Sequence, residues 1–465
     1  MKCFELSGLL TRNRYLSPAF VLVDDQGEIL QVSNELSEKM IGVEKIKIDA
    51  IALPGFPNTH SHAFQYAMAG LAEGTNSKSQ KDDFWSWRQI MYKLALSLSP
   101  DQMEVIATMA YSQMLAHGYT SVAEFHYIHH DPKGKYYNNR AEMSERLLRA
   151  AAKVGINITL VPVYYNTSDF SKAATEDQVR FLHSDPASYI TTVESIKNAV
   201  RKFPNASYGF GFHSLRAAPI EAMRDILSGL DDLQTPIHMH IAEQIGEVKA
   251  CQKHTGKRPL EYLMNSLEIG ENFNLVHATH MESYEARMVA EKQANIVICP
   301  TTEGNLGDGF FPLVEYLKLG GRFSIGSDSH VSVSFLEELR LLEYGQRMLK
   351  MERNVNCSTL TSLESGPAIF WPSIDNGYRA LGHNKQEAFS VGSSFDSVLI
   401  DPEHHAICAV RNEKQLISAL VFAANHKIQV GTICRGAYLV NEFKHREEDE
   451  FGKDFKRVVR EVLND

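Results

Sequence analysis

Directly after the apolar run at 51–54 stands Gly55-Phe56-Pro57-Asn58-Thr59-His60-Ser61-His62. Residues i and i+2 of an extended segment project to one side, so the imidazoles of His60 and His62 can converge on one ion. A His-x-His pair alone is a weak sign of metal. It gains weight from three later positions. His240 ends the apolar segment 237–241, His277 ends 274–277, and Asp328 follows 323–326 in Gly326-Ser327-Asp328. Three imidazoles and a carboxylate suit a borderline divalent ion, zinc above all, with water completing the shell. Such an ion makes water acidic enough to act as a nucleophile near neutral pH. His60, His62, His240 and Asp328 therefore read as the ligands of a metal-dependent hydrolase. The alternative, four unrelated polar residues at loop mouths, leaves their joint placement unexplained.

That placement requires a scaffold that gathers strand ends. From residue 52 short apolar runs alternate with amphipathic stretches of helical length. The strand candidates are 51–54, 121–127, 158–164, 208–212, 237–241, 274–277, 296–299 and 323–326. Periodic segments at 101–117, 141–154, 188–202, 220–230, 283–293 and 335–349 lie between them. This is the repeat of a (β/α)8 TIM-like barrel, whose functional groups sit at strand C-termini. A doubly wound sheet is the alternative, but no GxGxxG turn supports it. The expected domain therefore spans 52–385. A hairpin at 20–32, turning at Asp24-Asp25-Gln26-Gly27, and later strand texture at 389–391, 397–400, 429–434 and 437–440 predict a small composite β-sandwich domain from 1–51 and 386–445. The charged tail, 446–465, reads as a solvated helix.

Composition narrows the partners. A net charge of −10 argues against nucleic acid or an anionic membrane, and an anionic substrate would need local arginines. The chain opens without an apolar run of signal-peptide length, and its longest apolar stretch, near 416–424, is too short to span a bilayer. Six cysteines lack CxxC or framework spacing, which fits reduced thiols and a cytoplasmic location.

The barrel pattern resembles the amidohydrolase superfamily. His240-Ile241-Ala242-Glu243 is similar to the HxxE of its mononuclear deaminase branch. Segment 208–212 has no lysine to be carboxylated as a bridging ligand, which favours a single ion. A closer resemblance, to the formimidoylglutamate deiminase family, is carried by five segments. They are His60-Ser61-His62-Ala63-Phe64-Gln65, Phe84-Trp85-Ser86-Trp87-Arg88, Glu124-Phe125-His126-Tyr127-Ile128-His129-His130-Asp131, His213-Ser214-Leu215-Arg216 and Leu275-Val276-His277-Ala278-Thr279-His280.

This resemblance implies hydrolytic deimination of N-formimidoyl-L-glutamate to N-formyl-L-glutamate and ammonia in histidine degradation, by a homodimer. It implies that Asp328 ligates the metal and accepts a proton, and that His277 orients and helps deprotonate water. Glu243, three residues past a ligand, is placed to bond the amidinium nitrogen and carry a proton to departing ammonia. Two substrate carboxylates call for bidentate cations, and Arg88 and Arg216 are the arginines on matching motifs. Gln65, Tyr127 and His213 are implied substrate contacts.

Each of these positions also has a plainer reading. Arg88 can be a cation–π group beside tryptophans, and Tyr127 and His213 satisfied core residues. Gln65 can cap a loop, and Glu243 can be a surface ion-pair partner. His126, His129, His130, His280 and His330 read as supporting or loop residues. Two other functions compete: deamination of an aromatic amidine such as a purine or pyrimidine, and a metal-free scaffold, which the intact ligand set disfavours.

Overall fold

Short strands buried along their whole length, each followed by a helix, leave a parallel sheet covered on both faces. The computed structural model describes residues 1–74, 84–230, 234–383 and 387–464. The side chain of Trp85 and the boundary expected at 385/386 fall outside the description.

Eight parallel strands follow chain order around a barrel: Phe56–Ser61, Tyr119–His126, Asn157–Tyr164, Phe210–Phe212, Ile237–Ile241, Phe273–His277, Asn295–Ile298 and Arg322–Ile325. The fourth is doubled, because Ala206–Tyr208 pairs with the third strand before the chain shifts at Gly209 toward the fifth. A Cβ on Gly209 would lie 2.8 Å from the Pro236 carbonyl oxygen, so the crossing needs glycine there. The outer helices start on local signals. Ser99 closes a capping box on Pro100–Ala116, and Asp185 caps Pro186–Val200.

The first and last strands meet through few bonds. Thr59 Oγ1 donates to the Ile325 carbonyl at 2.8 Å. The Asp328 amide donates to the His60 carbonyl at 3.0 Å, and the His62 amide returns to the Asp328 carbonyl at 3.2 Å. A side chain on Gly326 would place its Cβ 2.7 Å from His60 Cβ, so this approach also demands glycine.

The first barrel strand is Phe56–Ser61, whereas the apolar run at 51–54 points to a strand five to seven residues earlier. Residues 51–54 end the long strand Glu44–Pro54 and pair with Ser397–Ile400 in the other sheet. Gly55 makes the switch between sheets. Its amide bonds Asp396, and the next amide bonds Gly118 of the barrel.

That other sheet draws strands from both ends of the chain. Lys2–Leu10 lies between Glu44–Pro54 and the hairpin Ala19–Val23 with Ile29–Ser33. Ser397–Ile400, Gln429–Cys434 and Ala437–Asn441 extend the opposite side. The sheet curls around Phe4, Phe395 and Ile433, and Ile29 bonds the backbone of Ser393 across the closure. The expected strand at 389–391 is instead a turn, with Phe389 at φ 63° and Gly392 at φ 85°. The terminal helix Glu448–Asn464 is charged outside, but it buries Phe451 and Val458 and packs on Pro100–Ala116. It is therefore docked rather than wholly solvated. Among the described residues no helix is long and apolar enough to cross a membrane.

Candidate active site

Strand ends one, five and eight bring His60, His62, His240 and Asp328 into one buried cluster. One ligand atom from each lies within 4.8 Å of all the others. His240 Nε2 is 2.9 Å from His60 Nε2, and Asp328 Oδ1 is 3.4 Å from His60 Nε2 and 3.2 Å from His62 Nε2. The opposite ring nitrogens explain why these faces converge. His62 Nδ1 donates to the Phe125 carbonyl at 2.9 Å, and His240 Nδ1 to the His213 carbonyl at 3.1 Å. Those bonds put the hydrogen on Nδ1 and leave Nε2 as a free lone pair aimed at its neighbours. Burial holds His60 neutral, with its pKa lowered to about 3. Burial alone would raise the Asp328 carboxyl, yet its close approach to His60 and His62 holds it well below the usual range. Neutral imidazoles and an ionised carboxylate, crowded together without intervening protons, fit a bound cation.

Beyond the cluster stand the proton-carrying groups. His277 Nε2 lies 3.7 Å from Asp328 Oδ2 and 3.8 Å from Glu243 Oε1. Burial opposes charge on His277, but Glu243, Glu303 and Asp328 outweigh it and lift its pKa to about 10. A cation in the cluster would act in the opposite direction. Glu243 is raised to about 7, by burial first and then by Asp328 and Glu247. A carboxyl in that range can both give and take a proton at neutral pH.

A cavity opens over these groups, and every residue expected to contact substrate lines it. Gln65 sits in the short helix Ala63–Met68 just past His62 and donates through Nε2 to the Tyr127 hydroxyl at 3.0 Å. Its Oε1 is buried without a partner. His213 stands at the end of strand four, its Nδ1 3.2 Å from Ser214 Oγ. Arg216, in the following loop, is buried. Burial works against its charge, but Glu247, Tyr165 and Glu243 keep the guanidinium firmly protonated. Arg88 projects from the helix Phe84–Ser97, half-buried over the Tyr92 ring at 5.2 Å. Among the described side chains it thus meets the ring of Tyr92, one helical turn on.

Backbone strain concentrates around the same rim. Ala242, His277, Ala278, Asp328 and His330 all have φ between 49° and 71°. Non-glycine residues enter that region at a cost, and such positions cluster at functional sites.

Several contributors were not evident from residue types. Glu124 accepts from Ser61 Oγ at 2.6 Å and the Ala63 amide at 2.7 Å, which locks the first strand to the second beneath the ligands. Ser61 and Ser327 hold His330 between them, and Asn58 bonds Ser327. Glu303 approaches His277 Nδ1, and Glu247 accepts the Glu243 amide. Tyr92, Tyr165 and Phe181 complete the cavity wall. Glu124 follows the barrel's strand-end rule, which would have found it, whereas Glu303 lies in the first turn of a helix. Glu247 lies on a helix and carries no such signal. His126, His129 and His130 are buried, with His129 Nε2 bonded to the Val163 carbonyl and His130 Nε2 to that of Leu182.

Comparison with known proteins agrees with this architecture. Residues 51–439 match the model of the amidohydrolase family. The chain belongs to the amidohydrolase family. It is 40% identical over 420 residues to the formimidoylglutamate deiminase of Pseudomonas aeruginosa, spanning 90% of this chain and 91% of that one. A 5-methylthioadenosine/S-adenosylhomocysteine deaminase of Thermodesulfovibrio yellowstonii is 25% identical, over 72% of this chain and 69% of its own. A solved amidohydrolase structure from Brucella melitensis superposes with a TM-score of 0.90 at 35% identity, covering 100% of both chains. This amidohydrolase is accordingly a hydrolase of carbon–nitrogen bonds with a buried metal site at the mouth of its barrel.

Proposed function

We propose that this amidohydrolase hydrolyses N-formimidoyl-L-glutamate to N-formyl-L-glutamate and ammonia, as a step of histidine breakdown. One observation carries the reading: a single cavity has Glu243, His277 and Asp328 on its walls together with Arg88 and Arg216. A small dicarboxylate carrying an amidine needs both sets. The formimidoylglutamate deiminase named among its relatives points the same way.

In this reading His60, His62, His240 and Asp328 hold one zinc ion, which supplies Lewis acidity and lowers the pKa of water. A single ion suits the donor set. Strand four offers no lysine to bridge a second ion. Asp328 receives the proton of the attacking water, and His277 Nε2 holds that water toward the amidine carbon. Glu243 accepts a hydrogen bond from the amidinium nitrogen, takes up the second proton of that water as the carbonyl forms, and passes it to the nitrogen so that ammonia leaves. Arg216 and Arg88 bind the two carboxylates, while Gln65, Tyr127 and His213 fix the chain between them. We extend the proposal to a cytoplasmic homodimer, on the strength of the family resemblance. A purine-type substrate, as named for the Thermodesulfovibrio relative, would not call for the two arginines that line this cavity.

The test is the purified, zinc-loaded protein with N-formimidoyl-L-glutamate. Ammonia and N-formyl-L-glutamate should appear in equal amounts. Formamide with free glutamate would overturn the reading, as would a metal content near zero in active protein.

A further inference from the structure

Glu303 is a buried acid to which the proposed reaction gives no task. It stands in the first turn of the helix Pro300–Leu306, directly after the seventh barrel strand. Its Oε1 lies 3.2 Å from His277 Nδ1 and accepts the Cys299 amide at 2.9 Å. The second bond anchors the carboxyl group to backbone at the strand–helix junction, so its position is set independently of the imidazole. The ring is held from another side as well. It stacks on His240, with centroids 5.5 Å and planes 19° apart. Nε2 then faces Glu243 at 3.8 Å and Asp328 at 3.7 Å. An imidazole has two nitrogens, and an acceptor on Nδ1 requires the hydrogen there, leaving Nε2 for the reactive side. The backbone at His277, with φ 71°, is not a relaxed strand end, so side-chain contacts must fix the ring.

We propose that Glu303 is a positioning residue that holds His277 with Nδ1–H turned outward and Nε2 turned into the cavity, between Glu243 and Asp328. The catalytic half of this proposal rests on His277 orienting water in the hydrolysis described above. The structural half does not, because the contact exists in the protein without substrate.

The experiment uses the full chain, zinc-loaded and labelled with 15N-histidine. Wild type should show a protonated, hydrogen-bonded Nδ1 for His277, assigned by its loss in His277→Asn. In Glu303→Ala that signal should lose its hydrogen-bonded shift. The kcat for N-formimidoyl-L-glutamate should fall about 10²-fold, with KM changed less than about twofold and zinc content retained. Glu303→Gln keeps an oxygen able to accept from both Cys299 N–H and His277 Nδ1–H, so it should restore the signal and most of kcat. It also keeps the helix-start contact if the alanine variant does not fold. An unshifted signal or undiminished kcat in Glu303→Ala overturns the proposal, and so does loss of the signal in folded Glu303→Gln. A wild type that shows the Nδ1 bond yet releases no ammonia overturns the substrate reading and leaves the positioning contact standing.

Discussion

The two ends of the cavity are built differently. At the metal end the ligands sit on or just past strand ends. Those of His62 and His240 are braced through their second nitrogens to backbone carbonyls, and Asp328 is tied by its own backbone to the first strand. At the end proposed to take the substrate carboxylates, Arg216 rides a loop, and Arg88 rides a helix that leans its guanidinium on a tyrosine ring. Rigid strand ends suit a centre where small displacements of reacting atoms are costly. Loop and helix suit groups that select a substrate by charge. The difference suggests that chemistry and specificity can change separately, as they do among barrels whose loops vary over a common core.

Substitutions that separate the two ends test this contrast. The largest expected effect is at the metal end. Asp328→Ala should lower kcat/KM on the order of 10⁴-fold and release the metal, read by elemental analysis after desalting. Glu243→Gln should keep the metal and lower kcat on the order of 10³-fold, with KM little changed in steady-state assays. At the other end Arg216→Met should lower kcat/KM about 10²-fold, because the substrate carboxylate would lose a desolvated partner. Arg88→Met, half-exposed, should cost about tenfold, mostly in KM. If Arg88→Met proved the more damaging, the buried arginine would not be the main anchor. The smallest effect is expected from Tyr127→Phe, about fivefold in KM, which corresponds to one neutral hydrogen bond.

The metal end was the more legible in sequence, for a geometric reason. A His-x-His on an extended segment states its own convergence, and His240, His277 and Asp328 declare themselves by ending apolar runs. The first barrel strand was harder to place. Phe56–Ser61 carries Asn58, Thr59 and two polar neighbours that look like loop, and they are buried only because Ser324, Ser327 and Glu124 satisfy them. No local pattern records partners so distant in the chain. The run at 51–54 is more apolar, yet it serves the other sheet. Glu303 is hard to find because it lies in a seven-residue helix after the seventh strand, while its partner ends the sixth. Arg88 and Arg216 could be chosen only through motif resemblance, since nothing in their immediate sequence says that they share a cavity. The turn at 389–391 shows the reverse failure, where an apolar triplet mimics a strand but Phe389 takes up a left-handed conformation.

The seam between the first and last barrel strands has a consequence for how the protein comes to exist. Its backbone-to-backbone closing bonds are made by His60, His62 and Asp328, the same residues that supply three of the four ligands. Circularising the barrel and completing the coordination set are therefore one event. A chain emerging during synthesis presents two neighbouring imidazoles early, then a third, and gains its carboxylate only when the final strand docks. Until that moment the partial site is an open and weaker chelator, so strong metal capture is deferred to the point at which the barrel is shut.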